Sequence, residues 1–150
     1  MQDLAGRVAV VTGGASGIGK AMAARFAAEG MDVVVADVEA GPLEAAVEEL
    51  GVIGVRTDVS DARSVEALAD AVLERHGRVD LLCNNAGVGG GGDVATLALA
   101  DWQWVLGVNL WGVVHGIQAF LPHLIANPAG GHIVNTASMA GLFPLSLIHI

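Results

Sequence analysis

Residues 7–37 read RVAVVTGGASGIGKAMAARFAAEGMDVVVAD, and this stretch decides the fold. Arg7 to Thr12 is a short β-branched run suited to a strand buried on both faces of a parallel sheet. The glycines of Thr12-Gly13-Gly14-Ala15-Ser16-Gly17-Ile18-Gly19 then permit a tight turn, close backbone approach and close packing of the next helix on that strand. A helix N-terminus after such a turn presents unpaired N–H groups and a positive dipole end, which suit a pyrophosphate. Asp32 to Asp37 (DVVVAD) is a second strand whose last residue can accept hydrogen bonds from the hydroxyls of an adenosine ribose. Taken singly, the glycines are any strand-to-helix turn and Asp37 any strand-end acid. Their order and spacing point to dinucleotide binding.

At 150 residues the chain has the length of one domain, large enough for a core but short for a complete nucleotide-dependent enzyme. A hydrophobic content of 53% with 15% charged residues fits a sheet covered on both sides and argues against disorder. The net charge of -9 disfavours a nucleic-acid surface. Cys83, the single cysteine, stands in an apolar run and reads as a small buried hydrophobe. Met1 to Gly6 lacks the features of a leader, and the apolar stretches are broken by Gly, His, Gln or Pro before membrane-spanning length; the expectation is a soluble cytoplasmic protein with no membrane partner. His76, His115, His123, His132 and His149 show no ligand-like pairing, so no metal is assigned.

Ile18, Met22 and Phe26 share one helix face expected to pack on the sheet, with Gly30 as the stop. Leu43, Ala46, Val47 and Leu50 predict a second helix ended by Gly51, and Val52 to Asp58 a third strand. Ser60 or Asp61 can cap a helix carrying Val65, Leu68, Ala69, Val72 and Leu73, which Gly77 ends. Val79 to Cys83 is the fourth strand and runs into Asn84-Asn85-Ala86-Gly87, where the asparagines can bond nearby backbone and the small residues leave room for a ligand. Gly89 to Gly92 reads as a substrate-side loop. Asp101 to Ala126 is mostly helical, with an inner stripe of Val105, Val108, Gly112 and Ile117. Pro122 should kink or end it unless Leu121 onward forms a separate last turn. Gly131 to Ser138 is the fifth strand. Four strands each followed by a helix predict right-handed crossovers in a doubly wound α/β sheet, with the crevice at the strand C-terminal ends.

The T-G-x-x-x-G-I-G of Thr12 to Gly19, the N-N-A-G of Asn84 to Gly87 and the GGHIVNTAS of Gly131 to Ser138 resemble motifs of the classical short-chain dehydrogenase/reductase family. The resemblance covers nearly all of Leu4 to Pro144 and implies a Rossmann-type sheet of order 3-2-1-4-5, lacking the last strands of the full fold. It implies that Gly13, Ser16, Gly17, Ile18, Gly19, Asp37, Asn85, Ala86 and Gly87 face a nicotinamide dinucleotide. Asp58 and Val59 stand where the family holds the adenine, although the residues alone fit an aspartate in a turn equally well. Asn109 stands where a family asparagine distorts the helix and its carbonyl positions a water; read alone, it is a helix asparagine bonded to its own backbone. Ser138 takes the catalytic serine's place, with Ala137 where many members have a first serine. A hydroxyl there can donate to a carbonyl oxygen gaining charge. The implied reaction is hydride transfer between NAD(H) and a secondary alcohol or ketone; Asp37 with Ser16 and Val38 favours NAD over NADP. The alternatives are a nucleotide-sugar epimerase or dehydratase, and a non-catalytic NAD-binding sensor.

The family's Y-x-x-x-K motif would begin at or just after residue 151, and the chain has no tyrosine. The expectation is therefore a cofactor-binding domain over residues 1–144 that is inactive alone, from a parent that forms a homodimer or homotetramer. Leu145 to Ile150 resembles a translated transposon end and reads as a non-native tail, or else as the start of a natural apolar element.

Overall fold

The computed structural model describes residues 3–90 and 95–139; the second half of the glycine run Gly89 to Gly92 and the tail from Leu145 lie outside them. Five parallel strands, β1 (Val8–Thr12), β2 (Asp32–Asp37), β3 (Ile53–Arg56), β4 (Leu81–Asn84) and β5 (His132–Asn135), form one sheet of order β3-β2-β1-β4-β5. The helices between them are α1 (Gly17–Ala28), α2 (Ala40–Leu50) and α3 (Ala62–His76), then α4 (Leu99–Leu106) and α5 (Gly112–Ala126), joined by a π-helical turn at Gly107–Trp111. This is the doubly wound α/β sheet expected from the sequence. Every residue of β1 is buried, as a central parallel strand demands.

One core lies under α3 and α5, with Val8, Val10, Leu82, Leu68, Val72, Phe120 and Leu124; the other lies under α1 and α2, with Val11, Val33, Val35, Ala23 and Leu43. Asp61, rather than Ser60, caps α3, its side chain accepting from the Arg63 N–H at 3.0 Å. Cys83 is buried, which pushes its thiol pKa up to about 11.

Several sequence expectations are corrected. Ile18 does not pack on the sheet: it is 67% exposed, whereas Met22 and Phe26 of the same expected face do pack on the core, beside the buried Gly19 and Ala23, which let the backbones close. The buried row of α5 is Gly112, Gly116, Phe120 and Leu124 rather than a stripe through Ile117, because residues four apart share a helix face and Ile117 stands five past Gly112. Gly116 lies so close to β4 that an added Cβ would overlap Asn84 Oδ1. Pro122 sits inside α5 near its end, where the loss is confined to one helical bond. The expected fifth strand to Ser138 stops at Asn135, since its partner β4 ends at Asn84, which accepts a last bond from Thr136 N–H. Continuous through the π turn, Leu99–Ala126 is 28 residues long and apolar enough by composition to cross a membrane, contrary to the sequence expectation. Here its inner row is docked on the sheet, as in the core helix of an α/β domain.

Asp80 ties the N-terminal edge of the sheet together. Its buried carboxylate accepts from Val8 N–H and Arg7 Nη1 (both 3.0 Å), from Asn127 Nδ2 (3.1 Å) and from Arg78. Burial pushes its pKa up, but the hydrogen bonds from Arg78, Val8 and Asn127 outweigh this and hold it below the ordinary carboxylate value. A folded-state pKa below the unfolded value of about 3.9 contributes stability that is present above that pH and is lost as pH falls through the folded value. Asp80→Ala is therefore expected to destabilise the fold at pH 7 by about 2 kcal/mol, less than for a fully buried pair because both arginines reach solvent, with the difference from wild type shrinking below pH 4. Urea melts across pH check this; a deficit that persists in acid would deny Asp80 the role.

Candidate cofactor cleft and active site

The C-terminal ends of β1, β2, β3 and β4 open onto a cleft of about 590 Å³, within the range of small-molecule sites. Gly13, Ser16, Gly17, Ile18, Gly19, Asp37, Asp58, Val59, Asn85, Ala86 and Gly87 all line it, as do Val38, Ser60, Trp104 and Thr136. Most of these residues lie on the four separate turns that follow β1 to β4, and the parallel sheet brings those turns to one edge.

The glycine turn is shaped by contact. Gly13 adopts φ +64°, and a Cβ on it would stand 2.8 Å from Ala86 Cα; a Cβ on Gly19 would overlap the Gly13 carbonyl and come within 2.6 Å of Asn85 Nδ2. The N-terminus of α1 therefore points into the cleft with no acidic residue in its first turn to oppose an anion. Asp37 stands beside it. Oδ2 accepts from Ala15 N–H at 3.1 Å and Oδ1 from Glu39 N–H at 3.2 Å, which fixes the carboxylate at the cleft wall.

Asn85 fastens three strand ends. Its Nδ2 donates to Thr12 O at 3.1 Å, and its Oδ1 accepts from Thr136 Oγ1 at 3.1 Å. Thr12, buried at the end of β1, accepts from both Asn85 N–H and Ala86 N–H through Oγ1, at 3.0 and 3.1 Å. Sequence reading assigned no site role to Thr12 or Thr136. A polar β-branched residue closing an apolar strand is the signal Thr12 offered. Asn84 instead bonds Asn135 Oδ1, at 2.9 Å.

Asp58 forms a local turn as well as lining the cleft, its Oδ1 accepting from Ser60 N–H at 2.9 Å and Ser60 Oγ at 2.7 Å. Asn109 lies in the π turn and reaches across to another segment: its Oδ1 accepts from Val88 N–H at 2.8 Å while its Nδ2 donates to Val88 O at 2.9 Å. The reading of a helix asparagine bonded to its own backbone is thereby corrected. π turns inside α-helices frequently mark functional sites. Neither Asn109 nor Ser138 is among the cleft-lining residues; Ser138 is exposed beyond β5, two residues past Thr136, which does line the cleft.

The sequence model of the family described as short chain dehydrogenase matches residues 7–149. The chain belongs to the short-chain dehydrogenase family. Among its relatives, the 1-deoxy-11-beta-hydroxypentalenate dehydrogenase of Streptomyces arenae is 43% identical over 141 residues, which cover 89% of this chain and 50% of that enzyme. A short-chain dehydrogenase/reductase from Burkholderia phymatum, solved in complex with NAD, superposes with a TM-score of 0.93 at 50% identity, covering 96% of this chain and 53% of that one. A metagenomic short-chain oxidoreductase solved with NADP gives a TM-score of 0.90 at 38% identity, covering 97% and 68%. This family member spans between 24% and 53% of the length of the curated relatives it matches.

Proposed function

We propose that this chain is the cofactor-binding part of an oxidoreductase that transfers a hydride between NAD(H) and a secondary alcohol or ketone. The fixed position of the Asp37 carboxylate, between the glycine turn and the cleft, carries the reading. The residues fit the cofactor: side chains at Gly13 and Gly19 would fill the cradle that a pyrophosphate needs, and Asp37 can take two ribose hydroxyls. Asp58 and Val59 would hold the adenine, and Asn85, Ala86 and Gly87 the far side. When bound, the nicotinamide supplies or accepts the hydride.

Within this chain, Asn109 would fix the Val88 backbone beside the reacting end, and Ser138 would donate its hydroxyl to the substrate oxygen as charge develops there. The proton donor is assigned to a tyrosine, with a lysine four residues later to lower its pKa, in the parent protein beyond residue 150. The Streptomyces arenae relative, a dehydrogenase of a hydroxypentalenate, supports an alcohol or ketone substrate.

Both NAD and NADP occur among the structural neighbours, so the choice rests on local charge. Asp37 would repel a 2′-phosphate, and Val38 offers it nothing. Lys20 is paired with Glu49 at 2.7 Å. Arg56, the register partner of Asp37, turns its Nε to Val38 O at 3.2 Å and does not line the cleft. NAD is the assigned cofactor.

In the full-length protein, Ser138→Ala is expected to lower kcat for ketone reduction at least about a hundredfold while leaving the Kd for NADH within about twofold, because an oxyanion donor acts in the transition state. Steady-state assays with a panel of ketones check this; cofactor binding with no turnover on any ketone, and no tyrosine–lysine pair in the continuing gene, would favour a sensor instead.

Leu110, Trp111, Leu121 and Ile125 are exposed apolar side chains on the long helix, which supports a twofold homo-oligomer of the intact protein. Sedimentation is expected to give a dimer or tetramer, and a stable monomer would refute it.

A further inference from the structure

We infer that His115 is a positioning residue for the adenine side of the cleft, holding the Asp58–Val59 segment by the Val59 carbonyl. This rests on the reading of the cleft as a dinucleotide site. The flanks of the segment are tied to the sheet and to α3, by Thr57 N–H to Asp37 O at 2.9 Å and by Asp58 N–H to Ser64 Oγ at 3.0 Å. The Val59 peptide itself is held from the other side, by the long helix. His115 Nδ1 lies 2.9 Å from Val59 O. A carbonyl oxygen can only accept, so Nδ1 carries the proton and the ring is fixed in that tautomer.

Two neighbours on the helix complete the arrangement. Gly112 offers Val59 a flat seat, since a Cβ there would stand 2.9 Å from Val59 Cγ2. Trp111 stacks on the imidazole, with ring centroids 6.1 Å apart and planes 29° from parallel. One helix thus holds both walls of the cleft: Asn109 holds Val88 from within the π turn, and His115 holds Val59 from the turn after it. Val59 is 8% exposed, so removing the imidazole would leave a poorly solvated carbonyl whose segment gains by moving toward water. That movement would displace the wall against which an adenine lies.

The test uses the full-length protein titrated with ADP-ribose, NADH and reduced nicotinamide mononucleotide, which lacks the adenosine half. His115→Leu is expected to weaken ADP-ribose and NADH about tenfold, the scale of one net hydrogen bond, and to leave the mononucleotide within about twofold. His115→Asn, whose amide nitrogen stands near the place of Nδ1, is expected to recover most of the loss. In wild type, ¹⁵N NMR of the neutral ring is expected to show the proton on Nδ1, a reading that requires no variant to fold. Equal losses for ADP-ribose and the mononucleotide, no loss at all, an asparagine variant as weak as the leucine one, or a proton on Nε2 would each overturn the positioning role. A wild-type protein that binds none of the three ligands would overturn the cofactor reading itself, and this inference with it.

Discussion

Gly19→Ala is expected to weaken NAD(H) binding by at least about a hundredfold by opening the turn, whereas Gly17→Ala leaves the turn closed and costs the fold about 1 kcal/mol. The two glycines lie in one motif and differ in what surrounds them. Gly17 adopts φ +52° with open space where a Cβ would go, so alanine there pays a local backbone penalty. At Gly19 the added methyl meets the Gly13 carbonyl and the Asn85 amide, both of which are held: Gly13 by its φ and by Ala86, and Asn85 by Thr12 and Thr136. The clash is with backbone and cannot be relieved by a side-chain rotation, so the turn must open. An open turn misaligns the N–H groups of α1 and breaks the fastening of β1 to β4 at the cleft floor. Parallel NADH titrations and thermal melts of the two variants check the contrast; Gly19→Ala binding as tightly as wild type would mean that the turn does not cradle the cofactor.

The combined change Asp37→Asn with Val38→Arg is expected to invert cofactor choice, moving the ratio of NADPH to NADH affinity by about a thousandfold. Asparagine keeps the shape and one acceptor, so the bonds that hold the turn through Ala15 and Glu39 are not all lost. What it removes is the charge that strengthens the hydrogen bonds to the ribose hydroxyls and that repels a 2′-phosphate. Val38 is exposed on the cleft wall, where an arginine can reach the phosphate bidentately. Each change contributes about 2 kcal/mol on the scale of charge-assisted hydrogen bonds. Binding titrations of both cofactors read the ratio, and an unchanged preference would place the ribose elsewhere.

The parts of this protein that were legible in its sequence are those whose chemistry is local. A glycine turn after a β-branched run, an acid at the end of the next strand and Asn84 to Gly87 at the end of β4 each show their use within a few residues; the doubly wound sheet follows from alternating strand and helix patterns, and its order from the family resemblance. What was not legible depends on partners far away in the chain. Ile18 has the periodicity of a core residue, yet α1 approaches the sheet through Gly19 and Ala23 and leaves it outside. Phe120 and Leu124 reach the core because they continue the four-residue spacing of Gly112 and Gly116, whose close seats on Val59 and Asn84 no pattern of apolar residues reveals. Thr12 and Thr136 become site residues only because Asn85 lies between them. His115 shows its use only when Val59 is placed against Gly112.

Parallel calorimetric titration of the wild-type full-length protein with NAD and NADP decides whether the cleft is an NAD site whose selectivity resides in Asp37. One site per chain is expected, with a Kd for NAD at least about tenfold below that for NADP, the scale set by a single repelled charge near the protein surface. Equal or tighter binding of NADP, or no binding of either, would contradict that assignment.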